Sequence, residues 1–198
     1  MNTLIFGTRK FLALISLALI AASCASSPTP RYFRLSVPAD LAVMGEPGAD
    51  TPSVVIGPFQ LAEYLDRPQM VSRDGANGIT VADYERWAEP LDANFQAVVA
   101  ANVGRLLGSD RVLEFPAHSI LKADRRVTGR VSRFDVDTDG IAVLEVQWGV
   151  LDGSGAVARP GSVSRYEARV AREGTGARVA ALNATVTAFS GDLAAAVR

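Results

Sequence analysis

Two prolines set ten positions apart, Pro58 and Pro68, constrain this chain more than any other feature. Each removes a backbone donor and fixes φ, and each pushes the residue before it, Gly57 or Arg67, out of helical and into extended geometry. The stretch 57–91, GPFQLAEYLDRPQMVSRDGANGITVADYERWAEPL, therefore has to turn. Residues 69–73 can resume a short strand, Asp74-Gly75 and Asn77-Gly78 offer turns with positive φ, and residues 79–84 read as extended again. The expectation is a hairpin of two short strands. At Arg86-Trp87-Ala88-Glu89-Pro90-Leu91 the period changes, with Pro90 tolerated in the first turn of a helix and Trp87 placed to cover that helix's start. Asp66, Arg67, Arg73, Arg86 and Glu89 are candidates for a charge network. Two readings of the block stand side by side. In the structural one, Arg67 and Arg86 hydrogen-bond loop carbonyls or carboxylates and hold an irregular backbone. In the other, Tyr64, Leu65, Arg67 and Trp87 form a partner-binding surface, since Tyr, Trp and Arg are the usual interface anchors.

The rest of the chain supplies the frame. Residues 32–37 alternate as a first strand ended by Pro38, residues 38–52 read as a loop rich in Gly and Pro, and residues 53–56 form a short apolar strand. From Trp87 through Leu91, Phe95, Val98, Val103 and Leu106 apolar residues recur at helical steps, and Gly108 stops the helix with Arg105 facing its negative end. Residues 112–115 form a short strand ended by Pro116. Residues 126–136 form a longer one whose apolar parity switches between Val127 and Val131 and then Phe134 and Val136, as a β-bulge near Ser132 would require. Residues 141–151 place Ala142, Leu144, Val146, Trp148 and Val150 on one face. A flexible connection begins at Gly153-Ser154-Gly155, and residues 164–170 return with Tyr166, Ala168 and Val170 inward. Val179, Leu182, Val186, Phe189, Leu193 and Val197 make a last amphipathic helix. The expected fold is α+β: a mainly antiparallel sheet with two amphipathic helices packed on one face.

Composition narrows the function. At 198 residues and 48% hydrophobic the chain has room for one ordinary domain, and a formal net charge of −1 gives nucleic acid no electrostatic hold. Cys24 is the only cysteine and His118 the only histidine, so an intrachain disulfide and multi-Cys or multi-His metal sites are excluded. Asp135, Asp137, Asp139 and Gly140 imitate the opening of a calcium loop, but its twelfth position is Val146 where a Glu is needed, and Asp139-Gly140 reads better as a hairpin turn. No phosphate loop, dinucleotide fingerprint or nucleophile elbow accompanies His118 or Ser119. No catalytic residue, metal or cofactor is expected.

Arg9 and Lys10 precede an apolar run over residues 11–22, too short for an ordinary membrane span, and Ala21, Ala22 and Ser23 lead into Cys24. That end resembles the processing site of bacterial lipoproteins, which implies cleavage after residue 23 and fatty acylation of Cys24. The alternatives are an ordinary signal cleaved nearby, or an uncleaved anchor with an idle thiol. Residues 24–30 then form a lipidated tether and 31–198 a single domain. Ala25 in place of Asp, by the same resemblance, lacks the inner-membrane retention signal and points to the periplasmic face of the outer membrane.

The run Glu63-Tyr64-Leu65-Asp66-Arg67-Pro68-Gln69-Met70-Val71, with Arg73 and then Arg86-Trp87-Ala88-Glu89-Pro90-Leu91, resembles the PqiC/YmbA-like lipoproteins, auxiliary components of ABC-type and MCE-type lipid transport systems. Ala62 departs from the Pro expected there. The resemblance implies a non-enzymatic outer-membrane lipoprotein with two partners, an MCE-domain transport protein and an inner-membrane transporter complex. It leaves a homo-oligomer open. The alternative function is a periplasmic lipid-binding carrier with an acyl-chain cavity, and an envelope hydrolase would need a constellation that is not found.

Overall fold

The structure, a computed structural model, describes residues 28–44, 51–116 and 123–198. Cys24, the first part of the tether, His118 and Ser119 lie outside the described residues. Strands β1 (Arg31–Phe33), β2 (Val54–Leu61), β3 (Gln69–Asp74) and β4 (Gly78–Trp87) precede helix α1 (Leu91–Leu107), with a 3₁₀ turn at Glu63–Leu65 between β2 and β3. Strands β5 (Val112–Glu114), β6 (Arg125–Val136), β7 (Ile141–Asp152) and β8 (Val157–Arg169) follow, and helix α2 (Thr175–Val197) ends the chain.

All eight strands share one sheet, and it is mixed rather than mainly antiparallel. Strand β6 is its spine. On one side β6 pairs with β7, and β7 with β8, both antiparallel. On the other side the sheet forks: β2 runs parallel to the first half of β6 and carries parallel β5, while β3 takes over at Val136 and carries antiparallel β4 and then parallel β1. β2 and β5 run parallel because α1 crosses over between them, as parallel neighbours require.

Both helices touch one another and pack on the same face of the sheet. Phe59, Phe95, Phe134, Trp148, Tyr166 and Phe189 fill the space between, with ring centroids 5.6 to 6.2 Å apart and mostly edge-to-face. Helix α2 is long and apolar enough to cross a membrane by length and composition, but half of that window is buried here. Its stripe of Val179, Leu182, Val186, Phe189, Leu193 and Val197 belongs to the core. Asn102 and Ser190 meet between the helices at 3.3 Å. The space between the sheet and the helices is thus filled by side chains among the described residues.

Several expectations shift in detail. Strand β2 does not turn at Gly57-Pro58; it runs on to Leu61 with a register irregularity between Ile56 and Phe59, and Gly57 takes a positive φ of 107° that a side chain would strain. The first strand is only three residues long, because the Asn94 amide takes over the backbone of Leu35: it accepts from Leu35 N at 2.7 Å and donates to Leu35 O. Strand β4 continues through Trp87, whose N–H donates to Pro68 O at 2.7 Å, so α1 begins only at Leu91. Gly108 ends α1 in the left-handed conformation, as expected, whereas Arg105 turns away to donate to Pro38 O and Ala39 O. The connection at Gly153-Ser154-Gly155 is a tight turn, held by Asp152 Oδ1 accepting from Ser154 N and Ala156 N. Strand β8 consequently starts at Val157 rather than 164. The register shift between Val131 and Arg133 is the expected bulge, and it keeps Val127, Val131, Phe134 and Val136 all buried.

Candidate functional site

The block around Pro68 is fixed to the sheet by one carboxylate. Pro68 bars a helix from running on, so the chain leaves β2 through a single 3₁₀ turn closed by Leu65 N donating to Ala62 O and Asp66 N to Glu63 O. That turn drops Leu65 into the core and aims Tyr64 along the sheet face away from the helices. Tyr64 Oη donates to Asp135 Oδ2 at 2.8 Å and accepts from Phe134 N at 3.4 Å. Asp135 is fully buried, and its other contacts are Arg133 Nε at 2.9 Å and Arg73 at 3.3 Å. Arg73 also donates to Ala76 O, and Arg133 approaches Asp137 at 3.6 Å. Parity explains the placement. Past the bulge in β6, Phe134 and Val136 face the helices, so Asp135 and Arg133 face the opposite side, where β3 brings Arg73 alongside.

Burial, followed by the charge and hydrogen bond of Asp135, pushes the Tyr64 phenol up to about 12. For Arg73, burial works to lower the value, but the Asp135 charge and hydrogen bond outweigh it and the net shift is upward. A tyrosine in the unfolded chain titrates near about 10. Tyr64 therefore contributes its full stability below that pH and loses it as the pH rises towards 12, because the unfolded state sheds the proton first. Tyr64→Phe is expected to cost about 1 kcal/mol at pH 7 through the lost hydrogen bond. It should also flatten the fall in urea midpoint between pH 10 and 12. A variant with the wild-type alkaline slope would show that Tyr64 is not what titrates there.

The sequence-derived residues separate into two groups. Tyr64, Leu65, Arg73 and Trp87 are anchors: Leu65 and Trp87 are buried in the core cluster, and Tyr64 and Arg73 are tied to Asp135. Asp66, Arg67 and Pro68 are exposed at the outer tip of the turn. Arg86 is partly covered, and its Nε is buried without a hydrogen-bond partner among the described residues. The expected network does not assemble within the block. Arg73 turns to Asp135, Glu89 pairs with Arg34 at 3.6 Å, and Arg67 and Arg86 make no hydrogen bond to a loop carbonyl among the described residues. Asp135, the residue that organises the site, was assigned from sequence only to a calcium-like spacing. In the structure Asp135 serves Tyr64 and the arginines, and Asp137 Oδ1 accepts from Asp139 N and Ile141 N in the β6–β7 turn. The signal that could have found it is a carboxylate set between Phe134 and Val136 at the end of the strand, where all three residues are buried.

One carboxylate, two guanidiniums and a phenol thus tie the turn to the sheet. The chain belongs to the family of ABC-type transport auxiliary lipoprotein components, whose sequence model matches residues 33–194. This is the PqiC/YmbA-like family expected from the block, and it is described as an auxiliary component rather than an enzyme. Two solved structures share the fold. An uncharacterised protein, 19% identical, superposes with a TM-score of 0.67 over 86% of this chain and 100% of its own. A Xanthomonas campestris protein of the DUF330 family, 17% identical, does so at 0.64 over 82% of this chain and 92% of its own. No curated protein matches the sequence.

Proposed function

We propose that this chain is a lipoprotein held by acylated Cys24 at the periplasmic face of the outer membrane, serving as a non-enzymatic auxiliary subunit of an MCE-type, ABC-powered intermembrane lipid transport system that maintains membrane integrity. The observation that carries the reading is membership of the auxiliary lipoprotein family over nearly the whole domain. The seating of the block supports it. Tyr64 and Asp135 fix the turn from behind, so Asp66, Arg67 and Pro68 present a rigid exposed tip to a partner such as the MCE-domain protein, and ordering costs on binding stay low. Pro30 lies six positions after Cys24, a reach of about 20 Å when extended, so a lipid there keeps the domain close to the bilayer.

Cys24→Ser is expected to move the protein from the membrane to the soluble fraction, because more than one acyl chain is what makes anchoring stable. It should also fail to restore barrier function in a deletion strain. A photo-crosslinking residue at Arg67 in the wild-type background should capture an MCE-domain protein in intact cells. Membrane fractionation and complementation like wild type would remove the anchor from the reading, and cross-links to other proteins only would remove the partner.

A further inference from the structure

Strand β8 ends the sheet, with no strand beyond it among the described residues. One bond fixes its backbone phase. Val170 N donates to Gly140 O at 2.8 Å, so these two are a hydrogen-bonded antiparallel pair, and so in turn are Ala168 with Ala142, Tyr166 with Leu144 and Ser164 with Val146. The backbone groups of the residues between, Val163, Arg165, Glu167 and Arg169, therefore face outward, and none of them is hydrogen-bonded among the described residues. Pro160 lies before this run, and the run itself holds no proline. Its outward residues share the sheet face away from the helices, where Val163 is 73% exposed and Arg165 pairs with Glu145 of β7 and, at 2.6 Å, with Glu167. An edge with free donors and acceptors is a template for another strand.

We infer that the strand it takes is β8 of a second copy of this chain, antiparallel across a two-fold axis at Tyr166, with Arg165 of each copy opposite Glu167 of the other and Val163 opposite Arg169. Backbone and charge select this register together. Outward residues must meet outward residues for each N–H to find a C=O, so registers differ by steps of two. Of the three that keep this run mostly paired, one sets Arg165 opposite Arg165 and another sets Glu167 opposite Glu167, and like charges directly opposite are destabilising. Only the middle one joins opposite charges on both sides of the axis. A strand complementary to itself in this way is what a two-fold interface requires. The helix layer leaves room for it. Asp192 of α2 accepts from Tyr166 Oη at 2.7 Å, which puts the exposed helical steps Asp192, Ala188 and Ala184 on the β8 side, and the alanines there let a second α2 come close. The pairing uses only the folded domain, so loss of the MCE cross-link would leave it standing, and its own failure would leave the transport reading standing.

The test co-expresses two differently tagged full-length chains, one with Val163→Cys and the other with Arg169→Cys, and reads the disulfide-linked heterodimer from intact cells on non-reducing gels. Chains without the added cysteines serve as the blank for Cys24. The pairing sets the two Cα atoms about 5.5 Å apart, within disulfide reach, whereas two Val163→Cys chains would hold theirs about 20 Å apart. The mixed pair is expected to cross-link at least tenfold more than the Val163→Cys pair. Glu167→Arg in both chains should cut that yield at least fivefold, by setting arginines opposite one another, with resistance to proteolysis unchanged as the check on folding. Placing Glu167→Arg in the Val163→Cys chain and Arg165→Glu in the Arg169→Cys chain restores an opposite charge on each side of the axis, and should return at least half of the yield. No cross-link in the mixed pair, equal yields from the two combinations, indifference to Glu167→Arg, or no recovery on exchanging the charges between chains would each overturn the inference.

Discussion

Phe189→Ala is expected to destabilise the domain by about 3–5 kcal/mol, the range for removing a fully buried aromatic ring. Phe189 is wholly buried and is the ring through which both layers meet: Phe59 and Trp148 approach edge-on at 5.7 and 5.9 Å, Tyr166 at 5.7 Å, and Phe95 of α1 stacks at 6.2 Å. The hole would open on four rings at once. Rings cannot collapse into it without leaving their rotamers, so the cavity stays and the cost sits in the upper part of the range. For a domain of this size each kcal/mol moves Tm by about 2–4 °C, so the melting temperature should fall by about 6–20 °C. Phe189→Leu, which keeps most of the volume, should cost less than half as much. An alanine variant that unfolds within about 1 kcal/mol of wild type would mean that the helices do not close on this ring.

What could be read from the sequence was whatever depends on the period of one element. The face of β7 is its own alternation, and Ala142, Leu144, Val146, Trp148 and Val150 are all buried. The stripe of α2 and the bulge in β6 were legible for the same reason: a parity switch within one strand betrays an extra residue. What could not be read depends on a neighbour. Whether β2 lies parallel to β6 is decided by α1 crossing between them, and no pattern inside either strand records it. Pro160 and Gly161 read as loop, yet they lie within β8, because β8 pairs only with β7 and a proline missing its N–H is tolerated on a free edge. Leu35 looked like a strand residue because an apolar position in an alternating run is compatible with a sheet, and only Asn94, far along the chain, shows that a side-chain amide substitutes for the ladder. The site followed the same division. The Pro and Tyr of the block marked a turn, but the carboxylate that holds Tyr64 lies 71 residues away.

Asp135→Ala is expected to cost about 3 kcal/mol, at the lower end of what removing one partner from a buried charge pair costs. The lower end applies because the orphaned groups are not sealed from water. The Arg73 side chain is 22% exposed, and Arg133 is 14% exposed and keeps Asp137 at 3.6 Å. Tyr64 would lose the acceptor of its proton at 2.8 Å and be left with the backbone donor from Phe134. Asp135→Asn keeps an acceptor for Tyr64 but removes the charge facing two guanidiniums, so it should fall between wild type and alanine. A second readout separates this clamp from a general loss of packing. Burial is the larger cause of the raised Tyr64 titration and Asp135 the next, so in Asp135→Ala the phenol should titrate below about 12 yet still above an exposed tyrosine. A merely structural defect elsewhere would leave that titration where it is. Ultraviolet titration of Tyr64, read as the difference from Tyr64→Phe in each background, measures it. If the alanine variant unfolds within about 0.5 kcal/mol of wild type, or Tyr64 titrates unchanged in it, the exposed tip at Asp66, Arg67 and Pro68 is held by something other than this carboxylate.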